Sequence, residues 1–210
     1  MPDRNFKFNI SLSVLNHLGR NLYRSFATVL GEAISNAWDA DAQNVRIYLD
    51  RDKNTLCIKD DGEGMTADDF QNKFLKIGYS KRTADGDKSA GGRPYIGRKG
   101  IGKLALLSCA NKISVKSKVE GGEHVGGMID NAGLDQAIKD DISSHDYELG
   151  RYDDSPFEQF NDGYTKGTII YFEDIKDGVH NTDNFLKKII ALYFRFSLVD
   201  SGFNIYLNDD

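Results

Sequence analysis

The sequence predicts an α/β fold in a single domain, and three observations support this. The chain has 210 residues and is 40% hydrophobic, which suits one domain with a sizeable core. Apolar residues recur at helical spacing over residues 22–38, which predicts an amphipathic helix. Asn44–Asp50 alternates apolar and polar residues, and the apolar run Thr55–Asp60 follows it closely. Two such runs predict a β-hairpin.

The rest of the chain continues this mixture of helices and strands. Thr66 is followed three residues later by Asp69, a capping pattern that predicts a helix over residues 66–77. Residues 78–100 carry six glycines and Pro94, which predicts a long loop. The remaining predicted elements are a short helix at 101–110, a strand at 112–118, an irregular acidic segment with short elements at about 120–163, a strand at 167–174, an amphipathic helix at 184–198 and a strand at 203–207.

The last predicted strand is followed by the residues NDD, a turn signal without a returning strand. We therefore expect one domain over residues 1–210 in a native chain that continues C-terminally.

Composition and charge argue against several classes of protein. Two cysteines give no disulfide framework, and no run reaches the 18 apolar residues of a membrane span, so we expect a cytoplasmic protein. The net charge of −5 does not suggest a nucleic-acid-binding surface. Residues 120–162 hold twelve acidic and two basic residues, whereas residues 76–103 hold eight basic and two acidic ones. A charge run is usually a solvated face, but a basic, glycine-rich stretch also suits a loop that meets a polyphosphate.

The glycine-rich stretch that begins at Gly97 is compatible with three phosphate-binding motifs. It resembles a P-loop, but Leu104 stands where that motif needs a hydroxyl for magnesium. It also resembles a dinucleotide fingerprint with Glu120 as the ribose ligand, although the third glycine and a convincing first strand are missing. The third possibility is G-x-x-G-x-G as the hinge of a lid. The stretch alone does not decide among them.

Two other groups of polar residues lie where a pocket could form. Glu32, Asn36 and Asp39 share one stripe of the predicted helix, beside its apolar face. Such a stripe suits a pocket wall, although a solvated helix face is the simpler interpretation. Asp60 ends the second hairpin strand and precedes two glycines, which would let a flat ring approach the backbone. A plain turn would also explain that pattern. Thr168 heads a later strand.

The order of these motifs resembles that of the GHKL ATPases, which include DNA gyrase, the large heat-shock chaperones, histidine kinases and mismatch-repair ATPases. The motifs E-x-x-x-N-x-x-D-A, D-x-G-x-G, G-x-x-G-x-G and G-T follow one another over residues 10–175. The first two look most like the chaperone and Microrchidia branches, and KIGYSKR resembles the Microrchidia lid. The resemblance implies a Bergerat fold. This is a two-layer sandwich in which helices cover one face of a mixed, mostly antiparallel sheet, with a glycine-rich ATP lid at about 78–100.

The resemblance also implies a role for each matching residue. Glu32 would be the general base for the attacking water, Asn36 the magnesium ligand and Asp60 the adenine anchor. The remaining candidates for nucleotide contacts are Gly62, Gly64 and Met65 at the base, Gly97, Gly100, Ile101 and Gly102 in the lid, Thr168 at the adenine, and Lys81, Lys99 and Lys103 at the phosphates. Asp39 would orient only its helix neighbours.

The implied function is magnesium-dependent ATP binding and slow hydrolysis by the N-terminal module of a larger machine. ATP would close the lid and bring two such chains together as a homodimer. A downstream domain would act in the same chain, and the client, protein or nucleic acid, is not specified. Two alternatives stay open: a nucleotide-binding switch without turnover, and the catalytic domain of a histidine kinase.

Overall fold

The structure, a computed structural model, describes residues 12–17, 26–76, 79, 86–97, 106–144, 146–176, 182–195 and 201–208. The helices are α1 (Leu12–His17), α2 (Phe26–Asp39), α3 (Ala67–Asp69, continued by a π-helical turn at Phe70–Phe74), α4 (Leu106–Cys109), α5 (Asn131–Lys139) and α6 (Asp183–Tyr193). The strands are β1 (Asn44–Asp50), β2 (Thr55–Asp60), β3 (Ala110–Lys118), β4 (Val125–Asp130), β5 (Gly167–Ile175) and β6 (Asn204–Leu207).

The six strands form one mixed sheet in the order β4-β3-β5-β2-β1-β6. Every neighbouring pair is antiparallel except β1 and β6, which are parallel. The predicted hairpin is confirmed, with Ile47 opposite Ile58. The final strand needs no returning neighbour for its pairing, because it lies beside β1 at the edge of the sheet.

Local sequence signals explain the limits of several elements. Thr66 and Asp69 form the predicted capping box at the start of α3. The predicted short helix at 101–110 ends one residue early, because Ala110 already pairs with Ile175 as the first residue of β3. The predicted acidic segment contains short elements, as expected. They are β4, α5 and a 3₁₀-helix at Ser155–Phe160.

One face of the sheet carries the main core. Alternate strand residues such as Ile47, Ile58 and Phe172 pack with apolar residues of α1, α2, α4, α5 and α6 in one buried cluster. Helix α2 contributes most to it, and Val29, Leu30 and Ile34 are fully buried. This face is the helix-covered face. The mixed sheet with its helices confirms the predicted Bergerat-type α/β fold.

The other face carries a smaller, aromatic cluster. Cys57, Ile169 and Tyr171 point to this side and pack against Phe157 of the 3₁₀-helix. Aromatic residues from the same part of the chain surround them: Tyr152, Phe160 and Tyr164. Residues 151–164 therefore cover the second face, and we call them the cover segment. Within the described part of the chain, no helix is long and apolar enough to cross a membrane.

Candidate functional site

Asp60 and Thr168 lie opposite each other where β2 ends and β5 begins. The Oδ1 atom of Asp60 accepts hydrogen bonds from the backbone N–H of Gly62, at 3.0 Å, and of Thr168, at 3.2 Å. Side chains alternate along a strand, so Asp60 and Thr168 share the helix-covered face with Ile58 and Ile170. The two motif residues, more than a hundred positions apart in the sequence, thus form one polar cluster at the end of the sheet.

Asp61 has a different role from its neighbour. Its Oδ1 atom accepts from the backbone N–H groups of Gln43 and Asn44, both at 2.8 Å, and its Oδ2 atom accepts from the Asn44 side chain at 2.7 Å. Asp61 therefore fixes the start of β1, whereas Asp60 faces Thr168.

Gly62 and Gly64 are required by contacts within the chain. A Cβ atom on Gly62 would lie 2.8 Å from the carbonyl oxygen of Ala40 and 3.1 Å from Asp60 Oδ1. Gly64 has a φ of +71°, and a Cβ atom there would lie 1.9 Å from the carbonyl oxygen of Lys118. Only glycine leaves the Asp60 carboxylate approachable from the Gly62 side. Met65, the predicted apolar neighbour of the base, is half-buried against the main core.

Three further groups complete the polar cluster around Thr168. The buried Ser117 hydroxyl lies 2.9 Å from the Gly167 carbonyl oxygen and 2.9 Å from Thr168 Oγ1. The Tyr164 hydroxyl donates to the same carbonyl at 2.9 Å. Burial and the negative charge of Asp60 raise the pKa of Tyr164, so this phenol is protonated and donates. Sequence analysis missed Ser117 and Tyr164, because neither belongs to a motif.

The predicted stripe on α2 is present, with different exposure at each position. Glu32 is half-buried and Asn36 is exposed. Asp39 is 5% exposed and accepts from the backbone N–H of Ile96, at 2.9 Å, and of Gly97, at 3.1 Å. A Cβ atom on Gly97 would lie 2.7 Å from Asp39 Oδ2. Asp39 therefore holds the loop that leads into the lid, a larger role than orienting its helix neighbours.

Residues 86–97, the described half of the predicted lid, are folded against the end of α2. Asp41 accepts from the Ser89 hydroxyl at 2.6 Å and from the Gly91 N–H at 2.7 Å. The Trp38 indole N–H donates to the Pro94 carbonyl at 3.0 Å, and the Arg93 guanidinium lies 4.6 Å from the Trp38 ring centre. These hydrogen bonds attach residues 89–94 of the predicted loop to the end of α2 and to Asp41.

The other predicted lid and phosphate residues lie outside the described residues: Lys81, Lys99, Gly100, Ile101, Gly102 and Lys103. A search of the described positions finds no cluster of three His, Cys, Asp or Glu side chains that could hold a metal ion. Magnesium commonly takes only one or two protein ligands beside phosphate oxygens, so the exposed amide of Asn36 has suitable chemistry.

A separate groove of about 770 Å³ opens at the opposite ends of the same strands. Its wall includes Lys53, Asn54, Lys112 and Glu173. None of those predicted site residues that the structure describes lines it, since Thr55 begins β2 and Asp60 ends it. Its mixture of lysines, carboxylates and amides shows no selection for one ligand charge, and we do not associate it with the nucleotide.

Comparisons with known proteins identify the family of the chain. The family model for "Histidine kinase-, DNA gyrase B-, and HSP90-like ATPase" matches residues 23–162. The chain is 33% identical over 209 residues to a putative type II restriction enzyme, HgiDII, of Herpetosiphon aurantiacus, a match that covers 100% of this chain and 32% of that protein. It is 29% identical over 143 residues to the chaperone protein HtpG of Bacillus velezensis, covering 59% of this chain and 23% of the chaperone.

The HtpG of Escherichia coli strain K12 is also 29% identical, over 163 residues that cover 66% of this chain and 26% of the chaperone. The chain thus spans a third or less of the length of these relatives. The family model matches more than half of the chain, and the resemblance inferred from the four motifs is confirmed. The chain therefore belongs to the family of histidine kinase-, DNA gyrase B- and HSP90-like ATPases.

Proposed function

We propose that this chain binds ATP with magnesium and hydrolyses it slowly, as the ATPase module of a larger dimeric machine. The observation that carries the proposal is the cluster of Asp60, Gly62 and Thr168 at the end of the helix-covered face. A carboxylate beside a hydroxyl offers hydrogen-bond acceptors, which suit the exocyclic amine of adenine. Gly62 leaves this edge open to a flat ring, and Met65 supplies an apolar neighbour.

The α2 stripe would carry the phosphate chemistry. In this proposal Glu32 orients and deprotonates the attacking water, and Asn36 holds the magnesium through its side-chain oxygen. The magnesium would neutralise negative charge that develops on the phosphates. Glu32 and Asn36 are one helical turn apart, so they face the same side of α2.

The lid would close over the phosphates from a fixed end. Asp39 holds Gly97 against α2, and the rest of the glycine-rich stretch begins there. In this proposal the backbone N–H groups of Gly100, Ile101 and Gly102, together with the charges of Lys81, Lys99 and Lys103, would contact the phosphates.

The larger machine in this proposal is a restriction protein. The match to the putative type II restriction enzyme covers 100% of this chain, whereas the two chaperone matches cover 59% and 66%. Phosphate release by the full-length protein would be measured with duplex DNA and with an unfolded protein client. Stimulation by DNA alone supports the restriction protein, and stimulation by the client alone supports a chaperone. Light scattering with a non-hydrolysable ATP analogue tests dimerisation.

The Glu32→Ala variant tests the enzymatic part. We expect calorimetry to give an ATP affinity close to that of the parent, because a general base contributes little to binding. Phosphate release should fall by about 100- to 10,000-fold, the usual effect of losing a general base. The exposed Glu158, on the cover segment, provides a control, and Glu158→Ala should match the parent in both measurements. Equal turnover by Glu32→Ala and the parent would remove Glu32 from this role.

A further inference from the structure

The hydroxyl groups of Ser117 and Thr168 form a hydrogen bond whose direction can be deduced. Ser117 is completely buried in β3 and lies opposite Thr168 of β5. Its Oγ atom is 2.9 Å from the Gly167 carbonyl oxygen and 2.9 Å from Thr168 Oγ1. Either hydroxyl could donate in the second contact if that contact stood alone.

Each hydroxyl group has a single hydrogen, and this determines which of the two donates. A carbonyl oxygen only accepts, so the single hydrogen of the Ser117 hydroxyl is committed to Gly167. The contact between the two hydroxyls then needs the hydrogen of Thr168, which Ser117 accepts. Thr168 Oγ1 has no second hydrogen, and it can offer only lone pairs to any other group. Asp60, whose carboxylate accepts from the Thr168 N–H, offers lone pairs beside it.

We propose that Ser117 is a positioning residue that sets nucleotide-base specificity by holding Thr168 as an acceptor. This inference rests on the proposed function, since it concerns the same nucleotide site. Asp60 and Thr168 then offer only hydrogen-bond acceptors, which match a purine base with an amino group at position 6. A purine with a carbonyl oxygen at position 6 would place its lone pairs against those of the Asp60 and Thr168 oxygens.

Tyr164 provides a matched control for Ser117. Its hydroxyl also donates to the Gly167 carbonyl at 2.9 Å, but it approaches with the aromatic cluster of the second face. Removing it leaves the Ser117–Thr168 bond in place. Ser117→Ala, in contrast, frees the Thr168 hydroxyl to rotate and donate.

The experiment measures the affinities of ATP and ITP by calorimetry. ITP differs at position 6, where it has a carbonyl oxygen and an adjacent N–H donor. In Ser117→Ala, and in the near-isosteric Ser117→Cys, we expect the ratio of the ITP to the ATP dissociation constant to fall about 3- to 10-fold, the effect of one neutral hydrogen bond. Ser117→Thr keeps a hydroxyl and should restore the parental ratio. Tyr164→Phe should also keep it.

Three results would overturn the inference. An unchanged ratio in Ser117→Ala and Ser117→Cys shows that Ser117 does not set the preference, while the parent's ATP binding still supports the proposed function. An equal loss of both nucleotides assigns Ser117 a purely structural role. A parent that binds neither nucleotide overturns the proposed function itself, and this inference with it.

Discussion

The two faces of the central sheet use the same strands for different purposes. On the helix-covered face, β2 contributes Leu56 and Ile58 to the main core and then ends in Asp60. On the second face, the alternate residues Cys57 and Lys59 meet the cover segment. Successive strand residues point to opposite faces, so the candidate nucleotide site and the aromatic cluster lie on different faces of the sheet. None of the described site residues belongs to the aromatic cluster.

The second face is held by lysines as well as by aromatic rings. Lys116 is only 3% exposed, and its ammonium group lies 2.8 Å from Asp154 of the cover segment. The Lys59 ammonium group donates to the carbonyl oxygens of Phe160, at 2.7 Å, and Asp162, at 2.9 Å. Burial lowers the pKa of Lys59. Asp154 of the cover segment thus compensates the charge of a buried lysine, and backbone carbonyl oxygens of the same segment bind a second lysine.

The comparison predicts its largest effect at Phe157, the fully buried ring of the cover segment. If the second face is a true packed layer, Phe157→Ala should lower the free energy of unfolding by about 3–5 kcal/mol. Phe160→Ala should cost less, because Phe160 is only half-buried. Urea denaturation would measure both. A loss below about 1 kcal/mol for Phe157→Ala would show that the cover segment is not part of the folded core.

A substitution at Gly64 tests the contact between β3 and the loop that follows β2. Gly64→Ala places a Cβ atom 1.9 Å from the Lys118 carbonyl oxygen and keeps an unfavourable φ of +71°. We expect a loss of about 2–3 kcal/mol in stability. Gly121 is the matched control, with a φ of +66° and no atom within 4 Å of its added Cβ. Gly121→Ala should cost about 1 kcal/mol from backbone strain alone. Equal losses for the two variants would mean that the loop at Gly64 shifts and relieves the clash.

The smallest expected effect is a pH dependence at His124, which stacks on Tyr164 with ring centres 5.8 Å apart. Partial desolvation of the ring, followed by the positive charges of Lys116 and Lys118, lowers the pKa of His124 below 6.5, and Asp154 opposes this shift. Because the folded pKa is below the unfolded value, the His124 contribution to stability is full above pH 6.5. It declines as the pH falls through the lowered pKa.

Denaturation of the parent and of His124→Gln at several pH values would test this. The loss at low pH should be smaller in the variant, and the difference should be slight because His124 is exposed. Identical pH profiles would exclude His124 as a contributor.

Local signals in the sequence predicted the helix-covered face well. The periodicity of α2, the hairpin of β1 and β2, and the capping box at Thr66 are all present as predicted. The motif order also selected Asp60 and Thr168 as candidates, and the β2–β5 pairing brings these two residues together. These features depend on short stretches of chain or on the order of motifs along it.

The second face could not be predicted in the same way. Tyr152, Phe157 and Tyr164 follow no helical or strand period, and their burial depends on a sheet assembled from distant segments. Ser117 follows Ile113 and Val115 at intervals of two residues, so the strand period predicts its face but not its partner. Its contact with Thr168 requires the pairing of β3 with β5, strands about 50 residues apart. The parallel pairing of β6 with β1 is likewise set by tertiary structure.

The most direct test of the nucleotide site compares Asp60→Asn with Asp61→Asn, two neighbouring carboxylates with different partners. Calorimetry with ATP and magnesium should show that Asp60→Asn loses about 1.5–3 kcal/mol of binding free energy, because a charge-assisted hydrogen bond to the base is lost. Asp61→Asn should bind ATP like the parent. Its stability should fall by about 1–3 kcal/mol, since Asp61 holds the start of β1. Unchanged ATP affinity in Asp60→Asn, or a larger loss of affinity in Asp61→Asn, would contradict the account.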